Sequence, residues 1–441
     1  MSRLRAAITG ALWPLPALAV LVAIGLGIGL PEVDALLQAG VEEPLAFVFS
    51  GGPSAARTIL SAIASSLISV TTLLFSLTIV TLQLASSQYS PRLLQTFVRD
   101  RVVQSCLAIL LGTFLYALTV LRSVRSADES GSGAFVPRLS VTLAFLLTLV
   151  SVGALVAFLS HQTRQLRVET MLRDVHVEAG ATLRRLARVA DDAAPTAAWP
   201  AMPEGARPVP ARGSGFLVAL AEAQLVEAVA AAGAVVRLVP RPGDPVITGT
   251  PLAWAWPDGA GTALDEEALG AALQAHATLN YEREDHGDPS YGLRKLVDIT
   301  TRALSPGIND PTTAVHALSH VSDLLGVAAQ QTTWDRRLVD AEGQVRLLVP
   351  SWDFPALLDL ALTQPRHYGG EDPTVVDRLF ALLAEVGWRV TRPDQRAALR
   401  EQRDLLVAQC VDRPPTGWDA DEVRRRGSAV DDALARRRPT S

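Results

Sequence analysis

The pattern of apolar and polar positions changes near residue 160. Ahead of that point, uncharged apolar runs occur four times, at residues 11–30, 58–84, 102–121 and 139–160. A helix needs about 20 apolar residues to cross a hydrocarbon core roughly 30 Å thick, so each run predicts a membrane-spanning helix. Arg3 and Arg5 precede the first run, as in a signal peptide, but the run is too long for a signal core and lacks a small-x-small cleavage site,. It is read as a span. No Asp, Glu, Lys or Arg interrupts any of the four runs, which argues against a proton relay or an ion-coupled pump.

The second run differs from the others. Ser61, Ser65, Ser69, Thr72 and Ser76 recur at helical spacing, followed by Gln83 and Ser87, while Leu73, Leu74, Phe75 and Leu77 crowd other faces,. Small hydroxyl residues let helix backbones approach and bond across the contact. The same face, with Ser65, Ser69, Thr72, Ser76 and Gln83 at its centre, would also suit the lining of a wet path in an oligomer. Both readings stand at this point.

Basic residues orient the spans. Arg3, Arg5, Arg92, Arg99, Arg101, Arg164, Arg167 and Arg173 fall on one side, and Arg57, Arg122, Arg125 and Arg138 on the other. The bias places both termini in the cytoplasm, with Glu32, Asp34, Glu42 and Glu43 in the first outer loop.

Beyond residue 160 the pattern is that of a water-facing domain. Residues 161–190 form an amphipathic helical connection with Leu166, Val168, Met171, Leu172, Val175 and Val177 on its apolar side, and 191–213 is a Pro/Ala-rich linker,. A small β-rich module follows at 214–263: strands at 215–219, 234–239, 245–247 and 251–256, a helix at 221–232, and turns at Arg241-Pro242-Gly243-Asp244 and Gly249,. Its hairpins are similar to those of biotinyl or lipoyl modules, but no lysine stands at a turn, so a carrier role fails. Residues 264–411 predict helices at 265–276, 291–304, 312–328, 354–362, 373–386 and 396–410, with one strand at 344–349. The charged tail, 412–441, reads as a solvated or frayed helix.

Composition supports this division. Of 441 residues 49% are hydrophobic and 19% charged, and the mean hydropathy is +0.24. A net charge of -5 leaves no broad positive field for nucleic acid,. Cys106 and Cys410 support neither a disulfide framework nor a metal site,. Lys295 is the only lysine.

Three groups of residues could carry chemistry. In "ALSPGINDP", Pro306 and Gly307 make a turn after one helix, and Asp310 caps the next with Pro311 at its first position,. Asn309 is explained less well by capping, and turn amides at a helix start also suit an anion or a partner. Arg283, Asp285, Asp288, Arg294, Asp298 and Arg302 form a charge group ahead of and along the helix before that turn, with Asp298 in pairing range of Arg294 and Arg302,. His316 and His320 lie four apart with Asp323 one turn on, a weak metal signal,. No nucleotide loop, nucleophile elbow or zinc-protease motif is present,, and no cofactor or metal is expected.

"FSLTIVTLQLASSQYSPRLLQTF" at 75–97, "YGLRKLVDITTRALSPGINDPTTAV" at 291–315 and "DPTVVDRLFALL" at 372–383 together resemble a family of predicted bacterial integral membrane proteins of unknown function. The resemblance spans about 58–410 and implies four spans and a cytoplasmic domain, with no activity or cofactor to carry over. The family's polar signature ahead of the Tyr291 helix is matched by Arg283 and Asp288, while Glu284 and Gly287 depart from it, and the family does not call for histidine at 316 or 320.

The expected fold is an α-helical membrane protein with four transmembrane helices and a mainly helical α+β cytoplasmic domain containing a small β module. It would lie in the inner membrane, contact the lipid bilayer and self-associate. Two functions are expected from different classes: a channel-like oligomer controlled by its cytoplasmic domain, or a membrane-anchored binding module that recognises a small ligand or a protein. An enzyme using the charge group at 283–302 is a weaker third.

Overall fold

The structure, a computed structural model, describes residues 13–40, 49–88, 100–126, 134–165, 167–192, 201–259, 264–284, 287–331 and 335–436. Arg3, Arg5, Glu42, Glu43, Arg92, Arg99, Asp285 and the end of the tail from 437 lie outside these residues, as does the side chain of Ser87. The chain forms two compact units, Met1–Thr170 and Met171–Ser441.

The first unit contains four helices long and apolar enough to cross a membrane: α1 (Pro14–Gly40), α2 (Pro53–Gln88), α3 (Arg101–Leu121) and α4 (Arg138–Gln165). α3 packs against the other three, and the shared core joins Leu60, Leu67 and Leu74 of α2 to Leu110 and Tyr116 of α3 and Phe158 of α4. α1 does not stop at Leu30. It runs through Pro31 and carries Glu32 and Asp34 on its last turns, so these acids belong to a helix and not to a loop. Asp34 is buried, and its carboxylate accepts from the Leu139 and Ser140 amides (both 2.9 Å) and the Ser140 hydroxyl (2.7 Å). It thereby satisfies donors at the start of α4 that have no partner within that helix. Tyr116 donates to the Ser140 carbonyl at 3.1 Å, tying α3 to the same end.

The stretch 161–190, a single helical run in sequence, is two elements: α4 continues to Gln165, and α5 (Val168–Asp192) begins beyond it. In the second unit, α5 buries Met171, Leu172, Val175, Ala179 and Leu183 along one face, the spacing of an amphipathic helix.

Two sheets follow. Strands β1 (Arg207–Pro210), β2 (Gly215–Leu220), β3 (Ala234–Leu238), β4 (Pro245–Val246) and β5 (Pro251–Pro257) are joined by β6 (Ala277–Asn280), β7 (Arg336–Val339) and β8 (Val345–Val349). The larger sheet has the order β1-β5-β3-β8-β7, with β3 and β8 parallel, and the smaller has the order β4-β2-β6. β1 lies within the stretch read as linker, and β6 and β7 lie within the stretch read as helical. The β-rich stretch therefore does not close on itself: Leu347 and Val349 share one core with Leu225, Val236 and Ala253. Helices α6 (Glu222–Ala231) and α7 (Glu266–His276) contribute to that core.

The remaining helices are α8 (Pro289–Ala303), α9 (Pro311–Ala328), α10 (Phe354–Gly369), α11 (Pro373–Arg389), α12 (Pro393–Asp412) and α13 (Ala420–Leu434). Asp288, Asp310 and Asp372 each cap a helix whose first residue is proline, an arrangement in which the cap supplies an acceptor and the ring supplies the starting φ. α13 is not a frayed tail. Val423, Val430, Ala433 and Leu434 are buried where it packs on α11 and α12.

Candidate functional site

On α2 the hydroxyl residues separate into two sets. Thr71, Thr78 and Thr81 are buried within the helical unit, and Gln162 of α4 donates to Thr81 Oγ1 at 3.0 Å. Ser65, Ser69, Thr72, Ser76 and Gln83 are instead exposed on its outside. The four hydroxyls on that outer face donate back along their own helix, to the carbonyls of Ala62 (3.2 Å), Ser65 (2.9 Å), Ile68 (2.9 Å) and Thr72 (3.0 Å). Each donor is thus satisfied without water while each oxygen keeps acceptor capacity. An apolar cleft of about 300 Å³ lies beside this helix, lined by Ile63, Leu67, Leu110, Ser151 and Leu155 among others.

In the second unit, Asp288 is buried and joins two turns. Its Oδ1 accepts from the Ser290 amide (2.9 Å) and hydroxyl (2.7 Å), and its Oδ2 accepts from Arg283 Nε (2.6 Å). Arg283 Nη2 also reaches Ser290 Oγ at 2.7 Å. The turn at Arg241–Asp244 closes over this pair. Gly243 has φ +89°, and a Cβ there would overlap the Asp288 carboxylate and Arg283, so the position is restricted to glycine both by conformation and by space.

Tyr291, also buried, has two cations over its ring, Lys295 Nζ 4.7 Å and Arg283 Cζ 5.6 Å from its centre. Lys295 is 4% exposed and bonds Glu178 of α5 at 3.3 Å. Close by, Gly292 of α8 lies against Ala179 with no room for a side chain. Arg294, Asp298 and Arg302 continue along α8 at four-residue spacing, each half-buried. The structure thus separates the charge group into a buried Arg283–Asp288 clamp and a stripe along one helix.

The 303–311 loop joins α8 to α9. The Asp310 amide donates to the Ala303 carbonyl (2.8 Å) and the Asn309 amide to the Ser305 carbonyl (2.9 Å). Asp310 accepts from the Thr313 amide at 3.1 Å and hydroxyl at 2.5 Å. The Thr313 hydroxyl, and then its amide, hold the Asp310 carboxyl below the usual range. The cap is therefore complete above the ordinary aspartate pKa of about 3.9 and is lost only as the pH falls through the lowered value. Asn309 has φ +48°, a left-handed conformation that asparagine tolerates and branched residues do not. This geometry accounts for Asn309, which capping alone did not. Asn309→Val should therefore cost about 1–2 kcal/mol in thermal unfolding of the full chain, and Asn309→Gly should cost almost nothing. Pro306, Gly307 and Ile308 project from the loop and are exposed.

His316 and His320 do share one face of α9, with ring centres 5.2 Å apart, and His176 of α5 lies 4.9 Å from His320. Among the described residues no group of three His, Cys, Asp or Glu side chains is placed to hold a metal ion. Cys106 and Cys410 are free and buried, and burial pushes the Cys410 thiol up to about 11. A cavity of about 240 Å³ lies among Arg185, Leu217, Glu222, Pro242, Gly287 and Arg336, with Arg336 and Glu222 paired across it. The sequence places Asp34 in a loop and gives no sign of His176, the inward threonines of α2 or this cavity, because each depends on residues far apart in the chain.

Comparison with known proteins matches residues 9–385 to the family described as "Predicted membrane protein (DUF2254)". An uncharacterized protein of Mycobacterium bovis and one of Mycobacterium tuberculosis are each 32% identical over 399 residues, which covers 90% of this chain and 76% of each relative. No solved structure matches the chain.

Proposed function

The chain belongs to the DUF2254 family of predicted membrane proteins. We propose that it is a non-enzymatic, multi-pass protein of the bacterial inner membrane, with both termini in the cytoplasm. It self-associates through α2 to form a channel-like path controlled by the C-terminal unit.

One observation carries this reading: Ser65, Ser69, Thr72, Ser76 and Gln83 face away from the protein's own helices. Their spacing of 4, 3, 4 and 7 residues keeps them on one seam of a helix that crosses a neighbour at about 20°. A row of hydroxyls that have satisfied their own donors exposes acceptor oxygens, which suits water and cations better than lipid tails. No ionisable residue stands on this seam, so the path would be passive and not ion-coupled.

Purified protein in liposomes should pass small ions. Ser69→Leu and Thr72→Leu should each lower the flux by about tenfold, an added barrier of about 1.4 kcal/mol. Monomers alone after crosslinking in mild detergent, or no flux of any ion with and without membrane tension, would end this reading. The exposed tip at Pro306, Gly307 and Ile308 favours a second one, in which the spans only anchor a domain that recognises a ligand or protein through that loop.

A further inference from the structure

Three of the seven histidines meet where α5 crosses α9. We infer that His176, His316 and His320 form a proton-operated latch, closed while the rings are neutral and released when they take up protons. The rings are closely packed. His316 and His320 are stacked with 28° between their planes, and His320 is inclined at 51° to His176. Two or three positive charges at these distances would repel across the contact.

Water reaches His316, while the charged groups around the other two rings offer little to offset that charge. His176 Nε2 lies 3.4 Å from Asp323 Oδ2, and its Nδ1 is buried with no hydrogen-bond partner among the described residues. In the tautomer that carries its proton on Nε2, the nitrogen nearer Asp323, Nδ1 is the bare nitrogen, and protonation would place a new N–H where none of the described residues supplies an acceptor. Asp323 is the carboxylate facing the rings, and Arg389 of α11 already bonds its Oδ1 at 3.1 Å. Glu385 of α11 is taken up by Arg378 and Ser322, and Glu178 of α5 by Lys295 of α8. Burial, then the charges of His176 and His316, hold His320 below the usual imidazole range against the opposing pull of Asp323.

The sign follows from that direction. The contact is at full strength above the unfolded histidine pKa of about 6.5 and weakens as the pH falls from there through the lowered value. α5 follows α4 in the chain and runs from the end of the first unit into the C-terminal one, so the latch bears on the segment that leads from the spans. It does not depend on whether the first unit conducts.

The test uses the full chain in lipid nanodiscs, with Cys106 and Cys410 replaced by alanine and spin labels at Val177→Cys on α5 and Ser319→Cys on α9, both exposed positions. The single short distance at about pH 8 should be joined by a second, longer population at about pH 5.5, within the range where imidazoles titrate. His176→Gln with His320→Gln should show the same distribution at both pH values. Unlabelled wild type supplies a second reading that requires no substitution: hydrogen exchange over α5, corrected for intrinsic rate, should lose protection at the lower pH. A wild-type distance and exchange pattern that do not change with pH would overturn the latch, and so would a double variant that keeps the wild-type response.

Discussion

Replacing Asp288 with alanine should cost the C-terminal unit about 3–5 kcal/mol, the usual penalty for leaving half of a buried ion pair behind. Three donors lose their acceptor at once: Arg283 Nε, the Ser290 amide and the Ser290 hydroxyl. Part of the cost is the lost cap of α8, about 1 kcal/mol, and the larger part is a guanidinium that cannot turn fully to water. In thermal unfolding of the full chain this is a fall of roughly 10 °C or more. Arg283→Met combined with Asp288→Leu should recover much of the loss, because an apolar pair carries no unmet charge. A single Asp288→Ala variant within about 1 kcal/mol of wild type would show that the two turns hold without the clamp. A catalytic role for this group would require instead that turnover be lost while stability is kept.

The second large effect is expected in the first unit. Asp34→Ala removes the acceptor of two amides and one hydroxyl at the start of α4. Buried donors left unmet cost about 1–3 kcal/mol each before relaxation, and some will find water, so a net loss of about 2–4 kcal/mol is expected. Unfolding of the full chain in a mild detergent reads it directly. Asp34→Asn keeps one carbonyl acceptor and should lose about half as much. If the alanine variant unfolds with wild type, water at that end of the unit serves the α4 amides equally well.

The features legible in sequence were those set by neighbouring residues. The spans are long uncharged runs, and the Asp-Pro starts of α8, α9 and α11 carry cap and first turn side by side. Pro31, Glu32 and Asp34 were misleading for the same reason: proline followed by acids resembles a helix end, yet Asp34 is retained within α1 because Ser140, 106 positions away, gives its carboxylate a partner. The four-residue strands β1, β6 and β7 have too few positions to show a period, and their pairing partners lie elsewhere in the chain. At the candidate sites, the spacing of His316 and His320 was visible, but His176 arrives from a helix 140 positions earlier. The serine row of α2 was visible too. Whether it faced inward could not be read from α2 alone, since that depends on where α3 and α4 pack. Arg283 and Asp288 are five apart and could be paired on sight, whereas the closing contact from Gly243 could not.

The placement of Lys295 has a chemical consequence for the whole molecule. The one amine among 441 side chains is held against Glu178 and the ring of Tyr291 and is almost out of reach of solvent. Active esters, aldehydes and acyl donors therefore find no open lysine on this surface. The other 39 cations of the Lys+Arg total of 40 are guanidiniums, which keep their charge at any pH a cell reaches. The lysine and arginine charge of this protein is thus fixed at synthesis, out of reach of the acylation that neutralises lysine-rich surfaces, and among its basic side chains only the histidines change charge with pH near neutrality.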